Sequence, residues 1–400
     1  MSDNGTLGSL IEQQGLDRRE FLKFCASVVA LFSLPVTSVP TFAQNLKKAQ
    51  RLPVIWLSFQ ECTGCTESLT RAFAPTIEDL IFNFLSLDYH HTLQAVSGEA
   101  AEAARLQTMK QHHGSYLLIV DGSVPTGLDG AYSTIAGMSN LAMLRETIEG
   151  AVAVIAMGSC ASYGGLAKAK PNPTGAMGVD ELMSAGMIAK KPLVNTPGCP
   201  PMPVAITGTL AYYLAFKRLP LLDEQKRPEA FYHHTVHEQC YRYHFFVEGK
   251  FAKSFDDEGT RKGWCLYELG CRGPVTHNAC AKFKWNGGTS FPVESGHPCL
   301  GCSEPNFWDS GSFYQKVDET AMATVLADTE NNQTQQAGRE LYEENCIYCH
   351  SANPNEFQTE PDAVKDLLKA GKIRSHRRFD FTDNQLDELQ AYLEQKAKEQ

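Results

Sequence analysis

The stretch Leu52-Pro-Val-Ile-Trp-Leu-Ser-Phe59, followed after Gln60 by Glu61-Cys-Thr-Gly-Cys65, decides the fold. An apolar run without polar alternation reads as a strand buried on both faces, the mark of a parallel sheet covered by helices. Outward from it, Ser115–Val120, Val152–Met157 and Pro192–Thr196 repeat the pattern. Ala100–His113, Ser139–Glu149 and Val179–Lys190 lie between them with helical spacing, so the segment predicts a doubly wound α/β domain. Ligands of such sheets gather beyond the carboxyl ends of the strands. Cys62 and Cys65 follow the first of these strands, Cys160 the third and Cys199 the fourth, each in a glycine-bearing turn. Thiols far apart in sequence are thereby predicted at one edge of one sheet.

Around this domain the chain divides by composition. Its 400 residues, 43% hydrophobic with 31 Gly and 20 Pro, exclude disorder, collagen and coiled coil, and the net charge of -10 argues against a nucleic-acid partner. Residues 1–43 carry Arg18-Arg-Glu-Phe-Leu-Lys23, an apolar run from Phe24 to Val39, and then Thr41-Phe-Ala43 as a small-x-small cleavage site. That is the twin-arginine export pattern, which predicts delivery of a folded, cofactor-loaded protein to the periplasm; an N-terminal core helix that happens to begin with Arg-Arg is the alternative reading. Pro35 and Pro40 interrupt the run and no other stretch reaches 18 apolar residues, so no membrane-spanning anchor is expected in the mature chain. Cleavage after Ala43 removes Cys25 and leaves twelve of the 13 cysteines. From 220 to 310 helical periodicity weakens while six cysteines crowd between Cys240 and Cys302, a region short of core that metal can staple. Residues 311–335 turn polar and read as a linker to a third module over 336–400.

Cys346-Ile-Tyr-Cys349-His350 is a covalent haem signature: two thiols add to the porphyrin vinyl groups and His350 presents its imidazole to the iron from the same turn. Half a zinc site is the alternative reading. With helices expected over Ala337–Asn345 and Thr382–Leu393, the segment resembles a single-haem class I cytochrome c, a small all-α fold. It departs from that family at the sixth ligand. The last methionine is Met322, upstream of the haem motif, and His376-Arg-Arg-Phe379 stands where the family commonly carries Met-Pro-x-Phe. Bis-His ligation by His350 and His376 is expected, with Lys372, another lysine or an open site as rivals. Imidazole in place of thioether lowers the haem potential.

The other ten cysteines divide by spacing. Cys62, Cys65, Cys160 and Cys199 make a four-thiolate set; His237 joins Cys240, Cys265 and Cys271; Cys280, Cys299 and Cys302 stand as three. The first two sets suit structural zinc as readily as iron. Three thiolates without a fourth partner instead suggest a three-iron cluster.

Glu61-Cys-Thr-Gly-Cys-Thr-Glu-Ser68, Gly158-Ser-Cys-Ala-Ser-Tyr-Gly-Gly165, Thr196-Pro-Gly-Cys-Pro-Pro201, Val236-His-Glu-Gln-Cys240 and Gly296-His-Pro-Cys-Leu-Gly-Cys-Ser-Glu-Pro305 together resemble the small, iron-sulfur subunit of NiFe hydrogenases, over about residues 1–310. The resemblance implies a flavodoxin-like sheet domain over 50–219 and an irregular iron-sulfur domain over 220–310. It further implies a proximal 4Fe-4S cluster on Cys62, Cys65, Cys160 and Cys199, and a distal 4Fe-4S cluster on His237, Cys240, Cys265 and Cys271. A medial 3Fe-4S cluster falls to Cys280, Cys299 and Cys302, with Pro292 where a fourth cysteine would be needed. Oxygen-tolerant members carry extra cysteines at the positions of Gly64 and Gly165, so a standard proximal cluster and oxygen sensitivity are expected. Where the family usually continues into a membrane anchor, this chain has its linker and c-type haem module.

The function implied is electron transfer in a periplasmic uptake hydrogenase. Hydrogen is split at a nickel-iron site on a separate large subunit, and electrons pass from proximal to medial to distal cluster, to the haem and on to a soluble carrier such as a cytochrome. A heterodimer, single or paired, is the expected assembly. Glu61 beside the proximal ligands has two readings, proton transfer or a surface or capping role. The competing functions are a hydrogen sensor, against which the export signal argues, and a secreted haem protein stapled by zinc and disulfides.

Overall fold

The computed structural model describes residues 18–32, 34–73, 76–79, 84–311, 313–315, 337–339, 341–342, 345–346, 364–369 and 381–398. They fall into two units, Met1–Lys316 and Val317–Gln400. In the first, strands β1 (Leu52–Ser58), β2 (Leu85–His90), β3 (Tyr116–Asp121), β4 (Ala151–Met157) and β5 (Leu193–Thr196) form one sheet in the order β2-β1-β3-β4-β5. Every ladder is parallel, and the order reverses between β1 and β3 as in flavodoxin-like sheets. Alternate residues feed two apolar layers. Val54, Trp56, Leu117, Ile119, Ala153, Ile155 and Val194 face one side, and Ile55, Leu57, Leu118, Val120, Val154, Ala156 and Leu193 the other.

Helices α1 (Arg18–Leu31), α2 (Val39–Lys48), α3 (Gly64–Thr70), α4 (Gly98–Gln111), α5 (Asn140–Ile148), α6 (Gly158–Tyr163), α7 (Val179–Ser184) and α8 (Pro203–Phe216) complete the doubly wound arrangement. Two features differ from the sequence expectation. Strand β2 went unread because it is an edge strand in which Ser86 and Asp88 interrupt the apolar pattern. Residues expected to stand apart as an export leader instead pack into the first layer: Phe21, Phe24, Cys25, Val28, Val29 and Phe42 are all buried there.

Beyond α8 the chain has only short helical turns, such as Glu229–Tyr232, Tyr243–Val247 and Cys280–Phe283, around a core of Val236, Ala252, Leu266, Leu269, Cys271, Phe291 and Val293. Arg227 ties the start of this region to its end: buried, it pairs with Asp223 Oδ2 at 2.7 Å and Glu304 Oε1 at 3.0 Å. Packing continues past residue 310, where Arg272 Nη1 donates to the Phe307 carbonyl at 2.7 Å, Arg272 Nη2 donates to Gly311 at 2.8 Å and the guanidinium lies over the Phe313 ring.

In the second unit, Tyr342, Cys346, Val364, Leu389, Tyr392 and Leu393 form a small core with α9 (Val364–Lys369) and α10 (Asp383–Lys398). Helical residues at 337–339 and 341–342 meet α10 closely: Tyr342 and Tyr392 ring centres are 5.7 Å apart, and a Cβ on Gly338 would collide with the Glu388 carbonyl. Among the described residues no helix is long and apolar enough to cross a membrane.

Candidate metal centres

The sheet delivers the proximal thiols as its topology requires. Cys62 sits in the turn after β1 and Cys65 in the first turn of α3, while Cys160 lies in α6 directly after β4 and Cys199 just past β5. Cys65 Sγ lies 3.7 Å from the Met157 carbonyl. Burial lifts the Cys160 thiol to about 12, with Cys199, Asp121 and Cys62 adding to the shift. Cys199 is raised to about 11 by burial first, then by Cys302 and Cys62. Such thiols hold their protons until a cation compensates the thiolate charge.

Glycines make the room. Gly158, at φ +80°, would place a Cβ 2.5 Å from Cys65 Sγ, and a Cβ on Gly165, at φ +61°, would land on Cys160 Sγ. Gly64 comes within 3.1 Å of Cys62 Sγ in the same sense. The Glu61 carboxylate accepts a hydrogen bond from the Thr63 amide, which engages it with the turn that carries Cys62. Burial raises its pKa.

His237 is buried, and its Nε2 has no hydrogen-bond partner. Burial lowers its pKa to about 4, so the imidazole is neutral and its lone pair free for a metal. Phe246, 4.4 Å away edge-on, and Tyr243 hold the ring. His237, Cys240, Cys265 and Cys271 line one small pocket with Arg242, Gly273 and Val293. Among the described residues no group of three His, Cys, Asp or Glu side chains is set to hold a single metal ion. An unpartnered imidazole nitrogen, three thiols and a shared pocket fit a cluster. The Arg242 amide donates to Cys240 Sγ at 3.4 Å.

Cys280, Cys299 and Cys302 form the third set. Cys280 is raised well above its ordinary value by burial, and then by Cys302 and Cys299 beside it. Pro292 is exposed between buried Phe291 and Val293. The three sets adjoin one another. Ser159 ties Gly198, next to Cys199, to the Cys302 carbonyl, and the Cys299 N–H donates to Cys271 Sγ at 3.3 Å. The three cysteine sets thus lie next to one another in turn.

Three residues near the sites escaped the sequence reading. Ser159 is the hinge of two sets: its Oγ accepts from the Gly198 N–H at 2.9 Å and donates to the Cys302 carbonyl. Asp121, at the end of β3, is buried with neither carboxylate oxygen hydrogen-bonded, and burial lifts its pKa to about 7. His90 at the end of β2 accepts the Thr92 and Leu93 amides on Nδ1 at 3.0 and 3.2 Å, stacks near Trp56 and reaches Thr66 Oγ1 with Nε2 at 3.4 Å. Ser159 stands inside the quoted Gly158–Gly165 motif, where no signal separates it from its neighbours, while Asp121 and His90 are lone polar residues marked only by the ends of strands β3 and β2. Of the haem residues, Cys346 is buried in the second unit's core, while Cys349, His350 and His376 lie outside the described residues.

Residues 232–315 match the C-terminal family of the NiFe/NiFeSe hydrogenase small subunit, and residues 62–213 match NADH ubiquinone oxidoreductase, 20 Kd subunit. The chain is 44% identical over 317 residues to the uptake hydrogenase small subunit of Azotobacter vinelandii, covering 79% of this chain and 87% of that one. To the hydrogenase-1 small chain of Escherichia coli (strain K12) it is 42% identical, over 79% and 84% of the two chains. The structure of the NiFeSe hydrogenase of Desulfomicrobium baculatum superposes with a TM-score of 0.63 at 34% identity, covering 67% of this chain and 100% of that one. The chain belongs to the small subunits of NiFe uptake hydrogenases, electron-transfer partners of a separate large subunit that carries the catalytic site.

Proposed function

We propose that this chain carries electrons from hydrogen oxidation on the large subunit through three iron-sulfur clusters in series to a covalently bound haem, and from there to a soluble acceptor outside the cytoplasm. The observation that carries the reading is the contiguity of the thiol sets: Ser159 links Gly198, next to Cys199, to Cys302, and the Cys299 N–H reaches Cys271 Sγ. Bound at these positions, the clusters and the haem supply one-electron carriers. Cys62, Cys65, Cys160 and Cys199 would hold the proximal 4Fe-4S cluster. Cys280, Cys299 and Cys302 would hold the medial 3Fe-4S cluster, and His237 with Cys240, Cys265 and Cys271 the distal 4Fe-4S cluster.

The chain's own residues set the conditions. Neutral His237 offers Nε2 without losing a proton, whereas each thiol must lose one. The Cys299 and Arg242 amides donate to sulfur, which stabilises negative charge there and tunes potential. Gly64 and Gly165 leave the proximal set at four thiols, the arrangement expected of an oxygen-sensitive enzyme. Cys346 and Cys349 would bind the haem, His350 and His376 its iron, and residues 1–43 would direct export by the twin-arginine route.

Iron and acid-labile sulfide analysis of the purified heterodimer tests this reading against zinc. About eleven cluster irons and one haem iron per small subunit are expected; zinc with almost no sulfide would overturn it. A chain ended near Gln333 should lose the fast reduction of its natural acceptor. Unchanged acceptor reduction would remove the haem from the path.

A further inference from the structure

Helix α8, Pro-Val-Ala-Ile-Thr-Gly-Thr-Leu-Ala-Tyr-Tyr-Leu-Ala-Phe, has no polar face, and every residue from Ala205 to Ala215 is buried. A helix apolar all round needs cover on both sides. Ile206, Leu210 and Ala211 belong to the layer on the sheet. The other side is covered by the amino-terminal segment: Phe32 lies 4.6 Å from the Tyr212 ring and Phe42 lies 5.5 Å from the Phe216 ring, centre to centre. α1 is built for this position. Phe21, Phe24, Cys25, Val28 and Val29 make a buried stripe at helical spacing, while Leu22, Lys23, Ala26, Ser27 and Ala30 face outward.

The expected cleavage site lies inside that cover. The Ala43–Gln44 bond is within α2, with Phe42 at 0% and Ala43 at 6% exposure, and a protease needs extended, accessible backbone. The leader must therefore leave α8 before it can be removed, and its removal strips one side of an apolar helix. Large exposed apolar surfaces mark interaction sites.

We propose that the outer face of α8 is an exchange surface, covered by the leader in the newly made chain and by an apolar, aromatic-accepting face of the hydrogenase large subunit in the assembled enzyme, so that partner binding frees the leader. The proposal rests on the reading of residues 1–43 as an export leader. The large subunit is favoured over a second copy of this chain because the face runs into the electron-entry edge. Ser27 and Ala30 of α1 line one cleft with Val204 and Thr207 of α8 and with Arg71 and Phe73 at the end of α3, the helix that carries Cys65. Phe73 is 77% exposed, and Cys62 and Cys199 at that edge are exposed too.

Hydrogen exchange by mass spectrometry on the full-length precursor, alone and bound to its large subunit, tests the exchange. In the free precursor, amides over 21–31 should exchange about 100-fold more slowly than in an unfolded chain, and binding should cut that protection at least about 10-fold. Protection retained in the heterodimer would overturn the proposal, as would its absence in the free precursor. Val28→Asp alters only the leader and leaves the mature chain intact; it should abolish the protection and raise the association rate with the large subunit to that of the leaderless chain. An unchanged association rate would also overturn it. Amino-terminal sequencing of the exported enzyme separates the two readings, since a mature protein that keeps residues 1–43 refutes the leader and leaves the exchange result to stand by itself.

Discussion

In the sheet domain the ligands hang from a scaffold that does not need them. Val54, Ile55 and the run Leu117–Val120 are completely buried, two apolar layers close on them, and the proximal cysteines occupy turns at the strand ends. In residues 220–315 the candidate ligands are part of the scaffold. The described residues of that region form no sheet, and its core includes Cys271 itself, with Cys240, Cys280 and Cys299 packed against it. The same residue type, carrying the same chemistry, is therefore peripheral in one region and structural in the next. Metal should be dispensable for folding in the first and required in the second.

The largest effect should come from breaking that contrast directly. Cys271→Ser should unfold residues 220–315 to proteolysis while 52–216 stays resistant, whereas Cys160→Ser should cost the proximal cluster and leave both regions protease-resistant. Equal sensitivity of the two variants would erase the distinction. Next is the tie between the two ends of that region. Arg227→Ala removes one partner from a buried arrangement with Asp223 and Glu304 and should destabilise the subunit by about 3–5 kcal/mol, read as a lowered midpoint of chemical unfolding. Gly165→Ala should cost about 1–3 kcal/mol, because φ +61° and the nearby Cys160 Sγ both resist a Cβ, and its spectroscopic effect should be confined to the proximal site.

The smallest effect is a pH slope. Burial, with His91 alongside, lowers the His90 pKa to about 4. A neutral folded imidazole and an unfolded one that protonates near 6.5 give stability that is full above pH 6.5 and falls as pH drops toward 4. His90→Gln should flatten that part of the acid-unfolding curve; an unchanged slope would show that His90 does not report on the β2 edge.

The legibility of the two regions differs for the same reason. Strands β1, β3, β4 and β5 could be read because burial on both faces leaves continuous apolar runs, and the position of Cys62, Cys65, Cys160 and Cys199 followed from the sheet's directionality. Edge strand β2, with Ser86 and Asp88, carried no such run, and α7 ends at Ser184, short of the Lys190 that helical spacing allowed. In residues 220–315 no periodicity exists to read, so only the spacing of the ligands spoke. The adjacency of those sets depends on contacts such as Ser159 with Cys302, made by residues more than a hundred positions apart. The packing of α1 and α2 was hidden because an apolar run ahead of a cleavage motif looks the same whether it inserts into a translocase or docks on its own chain.

Low-temperature paramagnetic resonance of the purified heterodimer, oxidised and then exposed to hydrogen, addresses the central claim most directly. A three-iron signal in the oxidised sample that disappears under hydrogen, together with reduction of the haem, is the predicted result. Absence of the three-iron signal, or a haem that hydrogen leaves oxidised, would contradict a wire running from Cys62 through Cys302 and Cys271 to Cys346.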